Sequence, residues 1–252
     1  MNTRLQDLVT KVPEVTLMFW VIKIISTTLG ETAGDALSMT MGLGYLTSSV
    51  IFSFIFATAV FTQIKANSFN PALYWTTIIA TTTLGTTVAD YATRSLNIGY
   101  LGGSILLFAF LIASLSIWYR SVGTIAVESI NTSKSEIFYW ITIMFSQTLG
   151  TALGDSVADA PNLGYLGAAI IFSALLLIII AVYFWTGVSR TILFWSAFVL
   201  TRPLGAVLGD YLDKPLAQGG LALSRFSASA VLLVFIIIFV YFFSQRAARK
   251  SH

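Results

Sequence analysis

Four segments of the sequence carry the same nine-residue pattern: TTLGETAGD at 27–35, TTLGTTVAD at 82–90, QTLGTALGD at 147–155 and RPLGAVLGD at 202–210. Each copy ends in an aspartate that is followed nine residues later by a glycine, namely Gly44, Gly99, Gly164 and Gly219. The pattern recurs after 55, 65 and 55 residues, so the two halves of the chain are offset by 120 residues. This regularity predicts two-helix repeats inside a four-helix unit that was itself duplicated.

Outside the motifs the chain is very apolar. Of its 252 residues, 56% are hydrophobic and only 10% are charged, whereas a soluble domain carries about 25% charged residues. A helix that crosses a bilayer needs about 20 residues, and eight stretches are long enough. They lie near 15–36, 44–64, 72–92, 98–119, 136–156, 164–186, 189–211 and 224–244. We therefore predict an all-α polytopic membrane protein, a single integral membrane domain over residues 1–252.

The repeats should all point the same way in the membrane. We place them near 15–65, 72–119, 136–186 and 189–244. Each contains two spans, so an axis along the membrane normal should relate them in a pseudo-fourfold arrangement. The odd-numbered spans hold the Gly, Thr and Asp residues, and the even-numbered spans are almost uniformly apolar. We expect the odd spans to form an inner ring, because small residues four apart allow close helix contact in lipid.

Basic residues predict the orientation. Nine Lys and Arg residues fall on the side that holds both termini, and only Arg94, Lys214 and Arg225 fall on the other. This excess favours a multi-pass protein of the cytoplasmic membrane with both termini in the cytoplasm. The first span is predicted to be an anchor that is not cleaved. Aromatic residues toward the span ends are interpreted as interfacial belts: Trp20, Tyr74, Trp75, Trp118, Tyr119, Tyr139, Trp140, Tyr183 and Trp185.

Each odd span carries a polar stripe that ends in the motif aspartate, because residues about four, eight and twelve positions earlier share its helical face. The stripes should stack into layers around the axis. The predicted outer layer is Asp35, Asp90, Asp155 and Asp210. The positions four residues earlier include Glu31, Thr86 and Thr151, and those eight residues earlier include Gln147 and Arg202. Lys23 lies twelve residues before Asp35.

The carboxylates indicate cation chemistry. A carboxylate inside the hydrocarbon costs about 2.5–3.5 kcal/mol on insertion scales and needs compensation. Glu31 and the four aspartates outnumber Lys23 and Arg202, the only basic residues deep in the predicted spans. The chain has no cysteine, and its single histidine is the last residue. An oxygen-only ligand set favours Mn²⁺, Mg²⁺ or Ca²⁺ over zinc or copper.

Several features also have plain structural interpretations. In these interpretations the glycines only pack helices, and the aspartates lie at the outer interface and cap neighbouring turns. Lys23 and Arg202 could simply pair with motif carboxylates. Pro203 should kink its span. Asp159 and Asp213 are expected to be solvated loop residues.

The repeated Thr-Leu-Gly-x-x-x-Gly-Asp motif and the Gly-Tyr-Leu starts resemble those of an uncharacterised bacterial family of predicted inner-membrane proteins, over residues 14–244. This resemblance implies the bacterial inner membrane but no activity. The segment from Glu31 to Asp35 is also loosely similar to the Glu-x-Gly-Asp motif of Mn²⁺/Ca²⁺–proton exchangers. It has one extra residue before Gly34, no basic residue follows, and the other repeats lack the Glu. That resemblance implies a metal role for Glu31 and Asp35 only.

The leading hypothesis is a divalent-cation transporter that uses intramembrane carboxylates. Glu31 and the four aspartates would bind the ion, Thr86, Gln147 and Thr151 would line its path, and Lys23 and Arg202 would tune charge. Protonation of Glu31 would couple transport to a proton gradient. The partners would be lipid and a small inorganic ion, with no resident cofactor and no nucleic acid, since no basic patch occurs. Alternatives are a cation channel with an Asp ring or a membrane scaffold. An enzyme is not expected, because Ser–His, Cys–His and HExxH arrangements are missing.

Overall fold

A computed structural model describes residues 9–243 and 245–249. In these residues eight long helices follow one another: α1 Leu17–Asp35, α2 Gly44–Lys65, α3 Pro71–Asp90, α4 Tyr100–Val122, α5 Ser133–Ala158, α6 Gly164–Trp185, α7 Arg190–Asp213 and α8 Arg225–Phe242. Two short strands flank them, β1 Val9–Pro13 and β2 Ala247–Arg249. Every helix begins and ends within three residues of a predicted span. The predicted all-α, eight-helix fold is confirmed.

Five of the described helices are long and apolar enough to cross a membrane: α2, α4, α6, α7 and α8. Large apolar side chains are exposed along the four even-numbered helices, including Phe54 on α2, Leu101 on α4, Leu177 on α6 and Ile237 on α8. Such long exposed apolar faces are compatible with lipid rather than with water. The chain therefore has the architecture of a multi-pass membrane protein.

The odd-numbered helices form a closed ring of contacts. Helix α1 packs against α3 and α7, and α5 packs against the same two helices. Each even-numbered helix lies outside this ring and packs on the first helix of the next repeat, so that α2 contacts α3, α4 contacts α5 and α6 contacts α7. Helix α8 packs on α1 and so joins the last repeat to the first.

Motif glycines allow the ring helices to approach closely. Each glycine five residues before a motif aspartate faces the side chain eight residues before the next aspartate. The pairs are Gly30 with Thr82, Gly85 with Gln147, Gly150 with Arg202 and Gly205 with Thr27. A Cβ atom on Gly205 would lie 2.6 Å from the Thr27 Cβ and 2.9 Å from its carbonyl carbon. Only glycine permits such an approach, which explains its place in every copy.

A spacing of nine residues from the motif Asp to a Gly recurs in all four repeats. This glycine marks the turn between the two helices of a repeat. Gly44, Gly99, Gly164 and Gly219 have φ angles of 75°, 74°, 61° and 83°. This left-handed backbone conformation is strained for other residues. In the first two repeats the odd helix first passes through a π-helical turn, at Ala36–Thr40 and Tyr91–Ser95. The glycine then reverses the chain into the even helix.

The two strands hold the ends of the described chain together. β1 pairs antiparallel with β2, with Val9 opposite Arg249 and Pro13 opposite Ala247. The Lys11 ammonium lies 2.7 Å from a Glu136 carboxylate oxygen and donates to the carbonyls of Gln63 and Ile64. No pattern in the sequence predicts these strands. They place β1 and β2 on the same side of the bundle.

Much of the predicted aromatic belt lies inside the protein instead. Tyr74, Trp75, Trp118, Tyr139 and Trp140 are buried, whereas Tyr119, Tyr183 and Trp185 are exposed. All of these buried residues except Trp118 belong to a second recurring pattern, in which an aromatic residue stands 16 positions before each motif aspartate and a tryptophan follows it. The four residues at the first position of this pattern, Phe19, Tyr74, Tyr139 and Phe194, are called the aromatic plug.

The aromatic plug closes the ring at the end nearest the strands. Its members are at most 7% exposed. The Tyr74 and Tyr139 hydroxyls are 2.6 Å apart, and the Phe19 and Phe194 ring centroids are 6.2 Å apart. Trp75 follows Tyr74 of the plug, and its indole N–H donates to Gln245 Oε1 at 2.8 Å. This hydrogen bond connects the plug to the chain just before β2.

Candidate ion site in the helix ring

Arg202 is the point at which all four ring helices meet. Its Nη2 atom donates to Glu31 Oε2 of α1 at 2.8 Å and to Thr86 Oγ1 of α3 at 2.6 Å. The same atom donates to Thr151 Oγ1 of α5. Arg202 itself is on α7 and is completely buried. The layer predicted from the positions four residues before the aspartates is therefore brought together around one guanidinium.

The four motif aspartates are buried and ion-paired. Their exposure is 1% for Asp35, 1% for Asp90, 4% for Asp155 and 2% for Asp210. Arg94 lies 2.9 Å from Asp90 and 3.1 Å from Asp155. Lys214 lies 2.6 Å from Asp35 and 2.9 Å from Asp210. Each cation thus joins the aspartate of its own helix to that of the next ring helix.

These ion pairs correct the expected charge balance. The sequence predicts that Arg94 and Lys214 lie outside the spans and therefore that acids are in surplus. In the structure both cations reach back one helical turn to the aspartates. Burial lowers the pKa of the Lys214 ammonium, but the adjacent Asp210 and Asp35 carboxylates outweigh this and raise the pKa above its ordinary value. Lys214 therefore stays charged, and the acidic surplus is largely cancelled.

A signal for the two cations was present in the sequence. Arg94 and Lys214 each stand four residues after a motif aspartate, and they are 120 residues apart. The equivalent positions in the first and third copies hold Met39 and Asp159. A cation at this position that pairs with the aspartates therefore occurs once in each half of the chain, in the second and fourth copies of the motif.

A third cation extends the aspartate layer. The Arg225 Nε lies 2.7 Å from Asp213, and its Nη2 lies 3.6 Å from Asp35. Asp213 is 8% exposed, so the expectation of a solvated loop residue is wrong for it. Asp159 is exposed, as expected.

Carboxylate oxygens from α1, α3 and α7 form two buried clusters that share Asp35. One oxygen each from Glu31, Asp35 and Asp90 lie within 4.8 Å of one another, and the same holds for Asp35, Asp210 and Asp213. The Oδ1 atom of Asp35 is buried and has no hydrogen-bond partner among the described residues. Oxygens that ligate one Mn²⁺, Mg²⁺ or Ca²⁺ are about 2.0–2.6 Å from the ion, so spacings of this size are compatible with a shared ion.

The remaining predicted residues lie nearer the aromatic plug. Lys23 is completely buried, with its Nζ 4.1 Å from the centroid of the Phe198 ring and 3.5 Å from Thr201 Oγ1. Gln147 is also completely buried, and neither atom of its amide has a partner among the described residues. Of the two basic residues, Arg202 pairs with a carboxylate, whereas no described carboxylate forms an ion pair with Lys23.

A family model described as Repeat of Unknown Function (DUF347) matches the chain four times, over residues 18–69, 73–124, 138–189 and 193–247. The chain belongs to the DUF347 family. Each DUF347 match begins one residue before a member of the aromatic plug and includes the motif and the turn glycine. The predicted fourfold internal repeat is therefore confirmed. No curated protein and no solved structure matches the chain.

Proposed function

We propose that this DUF347 protein transports a divalent cation of the Mn²⁺, Mg²⁺ or Ca²⁺ class across the bacterial cytoplasmic membrane. In this proposal residues 1–252 form one membrane domain in which all eight helices span the bilayer. The four repeats are related by a pseudo-fourfold axis along the membrane normal, and both termini are cytoplasmic. The closed ring of odd helices and the exposed apolar faces of the even helices support this arrangement. The proposal includes no enzymatic activity and no resident cofactor.

One observation carries the assignment: the carboxylate oxygens of Glu31, Asp35 and Asp90 converge inside the ring. Each of these acids faces one protein cation, namely Arg202, Lys214 or Arg94. The three converging oxygens form a ligand set that suits a divalent ion, which would bind in competition with those cations. Asp155 and Asp210 complete the set of acids at this level. Thr86 and Thr151 would line the path next to Arg202, and Gln147 and Lys23 would lie further along it.

The ion pairs would control the access of a cation to the carboxylates. A cation can bind Asp35 only in competition with Lys214, whose ammonium lies 2.6 Å from the same carboxylate. Arg202 holds Glu31 in the same way at 2.8 Å. Protonation of Glu31 would weaken this pair and couple ion movement to a proton gradient. Because the aromatic plug closes the strand end of the ring, an exchange mechanism fits better than an open channel.

Manganese flux is the direct test. Purified protein in liposomes should take up radioactive Mn²⁺ with saturation. Loss of one charged ligand commonly costs enough binding energy to lower the flux about tenfold or more, so Glu31→Gln, Asp35→Asn and Asp90→Asn should each show this loss. Asp159→Asn is the matched control, because Asp159 is exposed and outside the cluster, and its flux should be normal.

The outcome separates this function from its rivals. Unchanged flux in the variants of Glu31 and of all four aspartates would exclude the proposed site. Single-channel currents without saturation would indicate a channel.

A structural role is the second candidate, because Arg94 and Lys214 form ion pairs that join all four aspartates. In a scaffold, the aspartates would only hold the ring together. The Asp→Asn variants would then unfold at lower temperature, and the wild-type protein would carry no saturable flux of Mn²⁺ or another divalent cation.

A further inference from the structure

A second polar layer lies between the aromatic plug and Glu31 along the ring helices. It consists of Lys23, Ser26, Thr82, Ser146, Gln147 and Arg202, and it is called the basic layer here. All four ring helices contribute to it, and all six residues are completely buried. It contains no acidic residue. Its chemistry is therefore opposite to that of the carboxylate cluster.

Most polar atoms of the basic layer lack partners among the described residues. These atoms are the hydroxyl oxygens of Ser26, Thr82 and Ser146, both amide atoms of Gln147, and Nε and Nη1 of Arg202. Folded proteins leave few buried polar atoms unpaired, because each one costs stability. Seven such atoms lie at one level of the ring helices, and a polar species bound there would supply their missing hydrogen bonds.

The charge of the basic layer determines what that species is. Arg202 is paired with Glu31 through Nη2 only, so its other nitrogens remain as donors. Lys23 forms no ion pair with the described residues, and its Nζ lies 3.5 Å from the Thr201 hydroxyl and 4.1 Å from the centroid of the Phe198 ring. A buried Lys ammonium is stable only beside a counter-charge, and the unpartnered N–H and O–H groups of the basic layer can donate hydrogen bonds to an anion.

We infer that the basic layer binds one small monovalent anion of the halide or nitrate class, with Lys23 Nζ, Arg202 Nε or Nη1 and Gln147 Nε2 as donors. The anion balances the Lys23 charge and reduces its repulsion of Arg202. The hydroxyls of Ser26, Thr82 and Ser146 can turn their hydrogens toward it. This site shares Arg202 with the carboxylate cluster, because Arg202 Nη2 donates to Glu31, but it does not depend on which cation the protein transports.

Bromide is a suitable probe for the full-length protein in detergent. We expect an anomalous-scattering peak between Lys23 and Gln147 in crystals grown in bromide. We also expect a saturable rise of the unfolding temperature when bromide replaces gluconate at constant ionic strength. Sulfate, which is larger and divalent, should not compete with bromide.

Variants test the donors individually. Lys23→Met should lower the bromide affinity about tenfold to a hundredfold, because it removes a charge-assisted contact. Gln147→Leu should lower it less. Lys65→Met is the matched control, since Lys65 is exposed on α2, and Asp35→Asn should also leave bromide binding unchanged even if it abolishes Mn²⁺ flux.

Two results would overturn the inference: the absence of a bromide peak in the wild-type crystal, or equal bromide affinity in the wild-type protein and Lys23→Met. If Lys23→Met does not fold, the wild-type crystal decides alone.

Discussion

Replacement of Arg202 by methionine is expected to destabilise the protein by about 3–5 kcal/mol, because removal of one partner leaves a buried charge uncompensated. Glu31 would lose its 2.8 Å ion pair, and Thr86 and Thr151 would lose the donor that joins their helices to α7. The free energy of unfolding can be measured in mixed micelles by circular dichroism during denaturant titration.

The paired change Glu31→Gln with Arg202→Met should recover a large part of that loss, because both charges are then removed. Arg190→Met is the control, since Arg190 is exposed and lies over the Tyr183 ring, and its effect should be small. Strictly additive effects of the two single changes would show that Arg202 and Glu31 do not act as a pair.

Substitution of Gly205 by alanine is expected to cost about 1–3 kcal/mol, the usual range for overpacking. The new methyl group would lie 2.6 Å from the Thr27 Cβ and 2.9 Å from the Thr27 carbonyl carbon. The backbones of α1 and α7 would therefore have to move apart. The shift of the unfolding midpoint in the same titration measures the cost.

Gly102→Ala provides the matched comparison. Gly102 lies on the outer helix α4, and a Cβ there would meet only the Ile98 side chain at 3.6 Å. Alanine favours a helix over glycine by about 1 kcal/mol, so this variant should be neutral or more stable. If Gly205→Ala were equally neutral, the close contact of α1 and α7 would not be needed for stability.

The helical period and the internal repeat together predict which residues share a level. Glu31, Thr86 and Thr151 occupy the same motif position, and they meet at Arg202. The repeat fixes the height of each residue along its helix, and the period of 3.6 residues fixes its face. For this reason the inner position of the odd helices and the burial of Asp35 followed from the sequence.

The same reasoning did not predict where the charged ends of the long basic side chains lie. Arg94 and Lys214 follow the predicted spans, so their charges were assigned to the aqueous side. Their stems reach back along the helix, which places the charged groups against Asp90 and Asp210. Periodicity gives the position of a Cα atom but does not give the position of the end of a flexible side chain.

Aromatic residues near span ends were ambiguous for another reason. Tyr74 and Trp75 lie near a span end, as residues of an interfacial belt would, but they also lie on a helix that faces the ring. Both are buried, so they belong to the interior and not to the belt. The sequence signal for this is the constant offset of 16 residues between the plug residue and the motif aspartate. The pairing of β1 with β2 had no comparable signal, because it joins two short segments from opposite ends of the chain.

The central claim is that Glu31, Asp35 and Asp90 form one cation site, and Mn²⁺ binding measured by electron paramagnetic resonance tests it most directly. Titration of the purified protein should remove the sharp six-line spectrum of free Mn²⁺ until a single saturable site is filled. Asp35→Asn and Asp90→Asn should lose this binding, and Asp159→Asn should retain it. Undiminished binding in both cluster variants, or a wild-type protein that leaves all Mn²⁺ free, would contradict the account.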